Sequence, residues 1–233
     1  MLLTLPIREV VRATLRARVV RIDLQGESFP YLPGQAVMVA THGHEKRRPY
    51  SLAAPPEEAA RENCLELLIG TDAEGSAGPH LSLEPGTLVD VDGPLGRFTF
   101  PNNPDADRFL FIAGGTGIAP LRAMLHRALS GPSKSIGVVY SARTAADFAY
   151  DQELRGLAAA QRIELRQAIT RDDSSDPWHG IRGRIGSQEI APLLHDPKTV
   201  CFICGPPTLV HEIPKLLQAM GVAPERIRIE EWG

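Results

Sequence analysis

The apolar positions of this chain change rhythm near residue 100. Before that point they come in short runs, β-branched over residues 16–24 and compact over 36–40, then again at 64–69 and 88–91. Turn chemistry separates the runs at Leu32-Pro33-Gly34, Glu84-Pro85-Gly86 and Asp92-Gly93-Pro94. Many short strands with Gly/Pro turns predict a small antiparallel β-barrel. After Pro101-Asn102-Asn103-Pro104 the runs become strands at 109–113, 136–140, 163–169, 200–203 and 227–229. Helical periodicity separates them over 118–130, 148–160 and 207–220. Apolar strands alternating with helices predict a parallel sheet covered on both faces. The expected fold is therefore two-domain. An antiparallel six-stranded β-barrel over residues 1–102 precedes an α/β domain over 107–233 with a parallel five-stranded sheet, the boundary falling near 101–106.

The chain has 233 residues, enough for two domains of about 100–130 residues each. A net charge of −3, with both signs interspersed, argues against a nucleic-acid partner. The three cysteines are too few for a disulfide framework or a four-thiolate iron–sulfur cluster, and no metal site is expected. Cys201 and Cys204 have dithiol spacing but fall within an apolar strand, where positions three apart face opposite ways. The first twenty residues carry Arg8, Arg12, Arg16 and Arg18, and no apolar run reaches the about 18 residues of a membrane span. A cytoplasmic location without membrane insertion is the expectation.

Gly114-Gly115-Thr116-Gly117-Ile118-Ala119-Pro120 ends a predicted strand and opens a predicted helix. Glycines let a backbone approach a pyrophosphate closely, and a helix N-terminus offers free N–H groups and positive dipole. Pro120 suits the first turn, where its missing N–H costs nothing. The bland reading is a turn needed only for chain reversal. An NAD-specific site carries an acidic residue about 20 positions beyond the glycines. Here the second strand ends in Val139-Tyr140-Ser141-Ala142-Arg143, and a later one in Thr170-Arg171. Two arginines at the carboxyl ends of parallel strands suit a 2′-phosphate. Spacing alone balances that against two solvated arginines.

Together the motifs resemble the ferredoxin–NADP reductase superfamily over nearly the full length. Arg48-Pro49-Tyr50-Ser51 is similar to the family's flavin signature, and Pro33-Gly34-Gln35 to the turn before it. Asp92-Gly93-Pro94-Leu95-Gly96 is similar to the segment that closes the barrel. Gly114 to Pro120 and Cys204-Gly205-Pro206-Pro207 look like the two nicotinamide-nucleotide motifs, and Trp178-x-Gly180-x-x-Gly183-Arg184 recurs in related reductases.

The resemblance implies hydride transfer from NAD(P)H to bound FAD, with electrons passed on to a separate iron–sulfur or haem protein. It implies that Tyr50 lies against the isoalloxazine, that Ser51 bonds near its N5, and that Arg48 neutralises flavin phosphate. Ser51, Cys204 and Glu230 would form the hydride-transfer site. Trp232 would cover the flavin until nicotinamide displaces it; the alternative is a plain anchor for the last strand. Gly114, Gly115, Thr116, Gly117 and Pro120 would cradle the dinucleotide, with Cys204, Gly205 and Pro206 beside the nicotinamide. Arg143 and Arg171 align with 2′-phosphate positions, which favours NADPH over NADH, and Thr170 beside Arg171 would also bind the coenzyme.

The chain also departs from the pattern. The flavin pyrophosphate segment reads Gly75-Ser76-Ala77-Gly78-Pro79-His80-Leu81, so Gly78 stands at the hydroxyl position and Ser76 nearby. Gly70 stands where many members carry arginine. These departures keep FMN as an alternative to FAD. Leu67-Leu68-Ile69-Gly70 is also reminiscent of NAD(P)H:flavin reductases, for which flavin is a substrate. A non-catalytic nucleotide-binding subunit of a redox complex is the third reading.

Overall fold

The computed structural model describes residues 1–102, 106–132, 135–171 and 178–232. The first sheet contains β1 (Leu2–Thr14), β2 (Ala17–Asp23), β3 (Ala36–Thr41), β4 (Arg48–Ser51), β5 (Cys64–Gly70) and β6 (Leu88–Leu95). They lie in the order β4-β3-β6-β1-β2-β5, every pair antiparallel. Beyond β4 the edges meet: Leu52 bridges Leu67, and the Ala53 amide donates to the Glu66 carbonyl at 2.8 Å. The sheet thus closes on itself around Ile7, Ile22, Val37, Leu65, Leu67 and Val91. Helix α1 (Pro56–Glu62) caps the β4–β5 connection, starting on proline with Glu57 and Glu58 in its first turn.

The second sheet contains β7 (Arg108–Gly114), β8 (Ser135–Ala142), β9 (Glu164–Ile169), β10 (Ile181–Arg182), β11 (Val200–Gly205) and β12 (Ile227–Glu231). The order is β10-β9-β8-β7-β11-β12, parallel throughout. Its helices are α2 (Ile118–Leu129), α3 (Asp151–Ala159), α4 (Ser187–Ile190) and α5 (Pro207–Ala219). The parallel sheet has six strands where five were expected. The extra one, β10, is a two-residue edge strand, too short to register as an apolar run. Cys201 and Cys204 fall in clusters on opposite faces, so they form no dithiol.

The two sheets share one core. Ala17, Leu68, Phe98 and Phe100 from the barrel half join Phe109, Phe111, Met124 and Phe202 in a single cluster. The Phe100 ring stands 4.9 Å from that of Phe109 and 5.6 Å from that of Phe202. Burying one such side chain stabilises by about 1.5–3 kcal/mol, so the contact is a strong joint rather than a loose hinge. Residues 103–105 of the expected boundary lie outside the described residues.

Candidate active site

Strand order reverses between β7 and β11, and in parallel sheets ligand crevices open at the carboxyl ends beside such a point. Both nicotinamide-nucleotide motifs end there. Gly114 finishes β7, Gly115–Gly117 form a 3-10 turn, and α2 follows without a side-chain cap. The first helical amides are therefore left without a side-chain acceptor, an arrangement suited to an anion. Gly115 takes a φ of 55° with open space beside it. Gly117 serves differently: a Cβ there would stand 2.3 Å from the Cys204 carbonyl oxygen. The buried Tyr140 hydroxyl donates to the Gly115 carbonyl at 3.0 Å and accepts from the Ala149 amide at 3.2 Å, fixing the turn from below. Pro120 is buried in the first turn of α2.

A cavity of about 1030 Å³ opens at this crevice. Gly114, Gly115, Thr116 and Pro206 line it from the parallel sheet, and Thr14, Gly70, Ser76 and Gly78 from the barrel. At its far end Arg143, Thr170 and Arg171 come together. The Arg171 amide donates to the Arg143 carbonyl at 2.8 Å, which sets the two arginines side by side just beyond the ends of adjacent strands β8 and β9. The Thr170 hydroxyl bonds back to the Ala142 carbonyl at 3.2 Å. Two further residues of this wall went unassigned in the sequence. Arg184 follows Gly183, whose positive φ of 107° turns the chain into the cavity. Its placement was hinted at only by the Trp178-x-Gly180-x-x-Gly183-Arg184 pattern. Asp147 also lines the cavity, but its Oδ2 is engaged by the amide and hydroxyl of Thr144 at 3.2 and 2.8 Å.

On the barrel side, Arg48 and Pro49 are exposed, Tyr50 is half-buried and Ser51 is buried at the end of β4. The Ser51 hydroxyl oxygen has no hydrogen-bond partner, a costly state for a buried polar atom. Such an orphan fits a heteroatom of a flat polar ring system, as a flavin would provide. Tyr50 meets a partner not foreseen from the sequence: its hydroxyl lies 2.7 Å from Nε2 of buried His80, the rings nearly parallel at 10°. Burial drives the His80 pKa down, with Arg48 acting in the same direction.

The loop that departs from the family pattern is held by backbone amides that donate to its own side chains, the Ser76 amide to Asp72 Oδ1 at 2.7 Å among them. Gly75 and Gly78 have φ of 89° and 101°, and the Gly78 amide donates to the Ser76 hydroxyl at 3.0 Å. The Arg18 guanidinium covers Gly75 so closely that a Cβ would stand 2.6 Å from its Nη2, and Arg16 lines the cavity. Two cations thus flank the loop in place of the missing strand arginine. They were invisible in the sequence because they belong to β2 and the turn before it.

The chain's last strand returns to the crevice. Cys204 and Glu230 are paired in register across β11 and β12. The Trp232 amide donates to the Gly205 carbonyl at 3.0 Å, and its indole lines the cavity. Burial raises the Glu230 pKa, opposed by a hydrogen bond from Trp232. Cys204 is fully buried, and burial pushes its thiol pKa up, so it remains an uncharged thiol. Gly233 lies outside the described residues.

Comparison with known proteins matches this geometry. Residues 3–100 match the oxidoreductase FAD-binding domain and residues 111–215 the oxidoreductase NAD-binding domain. The chain is 32% identical over 220 residues to ferredoxin–NADP reductase B of Sorangium cellulosum, covering 89% of this chain and 87% of that one. It is 30% identical to an NADPH oxidoreductase of Mycobacterium tuberculosis, of which it spans 53%. Its fold matches an Amycolatopsis cytochrome P450 reductase with a TM-score of 0.85 at 26% identity, covering 99% of this chain and 69% of that one. It also matches a Neisseria gonorrhoeae ferredoxin NADP+ reductase with bound FAD and NADP, with a TM-score of 0.81 at 20% identity and 98% of that chain covered. No helix among the described residues is long and apolar enough to cross a membrane. Two cofactor-binding domains, meeting at a glycine-lined crevice, place this chain in the ferredoxin–NADP reductase family, as an NAD(P)H-dependent flavoprotein oxidoreductase that uses FAD.

Proposed function

We propose that the chain oxidises NADPH in preference to NADH and passes the electrons to a separate protein carrying an iron–sulfur cluster or haem. The observation that carries the coenzyme choice is the juxtaposition of Arg143 and Arg171 on one cavity wall, with Arg184 beside it. A forked guanidinium matches a phosphate bidentately, and a ribose hydroxyl has no use for two of them. Of the carboxylates that line the cavity, Asp147 is already occupied by Thr144, and Glu212 pairs with Arg184 at 3.6 Å. Relatives named for ferredoxin and for cytochrome P450 support the class of acceptor.

In this reading residues 1–102 hold the flavin and 107–233 the nucleotide. Arg48, Pro49, Tyr50 and Ser51 form the flavin edge, and Gly75, Ser76 and Gly78 its phosphate loop. Gly114, Gly115, Thr116, Gly117 and Pro120 hold the pyrophosphate by backbone and helix dipole. Cys204, Gly205 and Pro206 shape the floor at which the nicotinamide arrives. Glu230 supplies negative charge there, and Trp232 excludes water until coenzyme enters. FAD supplies the chemistry when bound: it accepts a hydride and releases single electrons.

The test is the visible spectrum of the purified protein, followed by anaerobic titration with NADPH and with NADH. A yellow protein bleached by NADPH at far lower concentration than NADH is the expected result. A colourless protein that oxidises NADPH only when FMN or riboflavin is added would instead be a free-flavin reductase. Nucleotide binding without turnover of any electron acceptor would make it a non-catalytic subunit.

A further inference from the structure

Arg122 lies in the first half of α2 and is only 7% exposed. A guanidinium so far from water is tolerated only where its N–H groups find acceptors. Its acceptors come from both domains. Nη1 donates to the Ala53 carbonyl at 2.9 Å and to Glu66 Oε1 at 3.3 Å, both in the barrel. Nε donates to the two carboxylate oxygens of Glu153 at 3.1 and 2.9 Å, in α3 of the other domain. The guanidinium also lies 4.7 Å over the Tyr150 ring, and the Tyr150 hydroxyl donates to Glu66 Oε1 at 3.1 Å. Arg21 of β2 takes the other Glu66 oxygen at 3.0 Å. Tyr150 adopts a left-handed φ of 58° to make this contact, a conformation a bulky residue holds only where its surroundings enforce it.

The two ends of this network are the two halves of the active site. Ala53 lies two residues beyond Ser51, and Arg122 five beyond Gly117. Apolar contacts already hold the domains together, but the hydrophobic effect is non-directional and does not fix how one surface sits on another. A planar fork meeting three acceptors does. We infer that Arg122 is a positioning residue that locks the Ser51–Ala53 end of the barrel to the glycine turn of the nucleotide domain. It thereby sets how the two halves of the site face each other. The functional part of this inference rests on the crevice being the hydride-transfer site.

The test uses Arg122→Lys, which keeps the buried charge but cannot reach all three acceptors. Spin labels are placed at Arg12→Cys on β1 and Lys215→Cys on α5, both exposed, while the native cysteines are all buried. In the parent chain the label-to-label distance distribution is expected to be narrow, and in Arg122→Lys broad or displaced. Hydride transfer in stopped flow should fall about tenfold to a hundredfold, the cost of misplacing reacting groups by about 1 Å, with flavin content and NADP+ affinity within about twofold. A narrow distribution with an unchanged rate would overturn the inference, as would a lowered melting temperature alone. If Arg122→Lys does not fold, Glu66→Gln, which keeps an acceptor oxygen, is read in the same way. If the parent itself transfers no hydride to flavin, the proposed function fails. The distance measurement on that chain still decides whether Arg122 fixes the domains.

Discussion

The Trp232 indole N–H donates to Glu230 Oε2 at 2.8 Å, so the terminal aromatic and the acid beside it form one unit. Burial favours the protonated acid, and the indole is the group that opposes it. Trp232→Phe keeps an aromatic ring but removes the donor, so the Glu230 pKa should climb further. A ring that gives up hydride gains positive charge, so the carboxylate is the useful form. Hydride transfer should therefore rise with pH through the Glu230 pKa, above the ordinary carboxylate range, and later still in Trp232→Phe. Stopped-flow rates from acid pH to neutrality check this; superimposable profiles for parent and variant would refute it.

Arg143→Ala combined with Arg171→Ala should weaken NADPH far more than NADH. Charge-assisted hydrogen bonds contribute about 1.5–3 kcal/mol each, so removing both arginines should weaken NADPH by roughly a hundredfold to ten-thousandfold. NADH, lacking the phosphate, should change by less than about threefold. Equal losses in kcat/KM for both coenzymes would mean that the arginines do not read the phosphate.

Gly117→Ala tests the contact between the two nucleotide loops. The added Cβ would meet the Cys204 backbone at 2.3 Å, where no flexible side chain is available to yield. Overpacking of this kind costs about 1–3 kcal/mol. The variant should melt several degrees lower and bind nucleotide poorly, whereas Gly115→Ala, with open space beside it, should incur only the strain of an alanine at positive φ. Calorimetry of both variants distinguishes them.

Glu153 gives the fold an acid-sensitive element. Burial raises its pKa, but the hydrogen bond from His126 and the charge and hydrogen bonds of Arg122 outweigh that and hold it below the ordinary value of 4.5. A depressed folded-state pKa contributes stability that is present above 4.5 and is lost as pH falls through the folded value. Glu153→Gln should cost about 2–3 kcal/mol at neutral pH, less than a fully buried pair because the carboxylate is partly exposed. The gap from the parent should shrink as acid titrates Glu153 itself. Urea midpoints across pH report it; a constant gap would exclude the assignment.

The barrel and the alternating half were legible because each obeys a simple periodicity, and the glycine turns because strand and helix flank them. Strand β1 was not: residues 2–14 interleave arginine and glutamate with apolar residues, and while its second half pairs with the neighbouring β2, its first half takes partners far along the chain, Asp92 to Leu88. Helix α1 is a seven-residue loop helix without an apolar stripe. In the candidate site, the residues of local motifs could be proposed in advance. Those recruited across the fold could not. His80 reaches Tyr50 over 30 positions, and Arg122 reaches Ala53 over 69. A charged residue in an amphipathic helix reads as solvated until the opposing domain is known.

The shared aromatic cluster has a consequence for how the molecule comes apart. Phe98 and Phe100 belong to the barrel half of the chain, yet they are covered by Phe109 and Phe202 of the other. Severed at the connecting segment, each piece would present a sticky patch of benzene rings to water. The two modules are separable on paper but share this buried surface, and a single cooperative unfolding transition is the expected consequence.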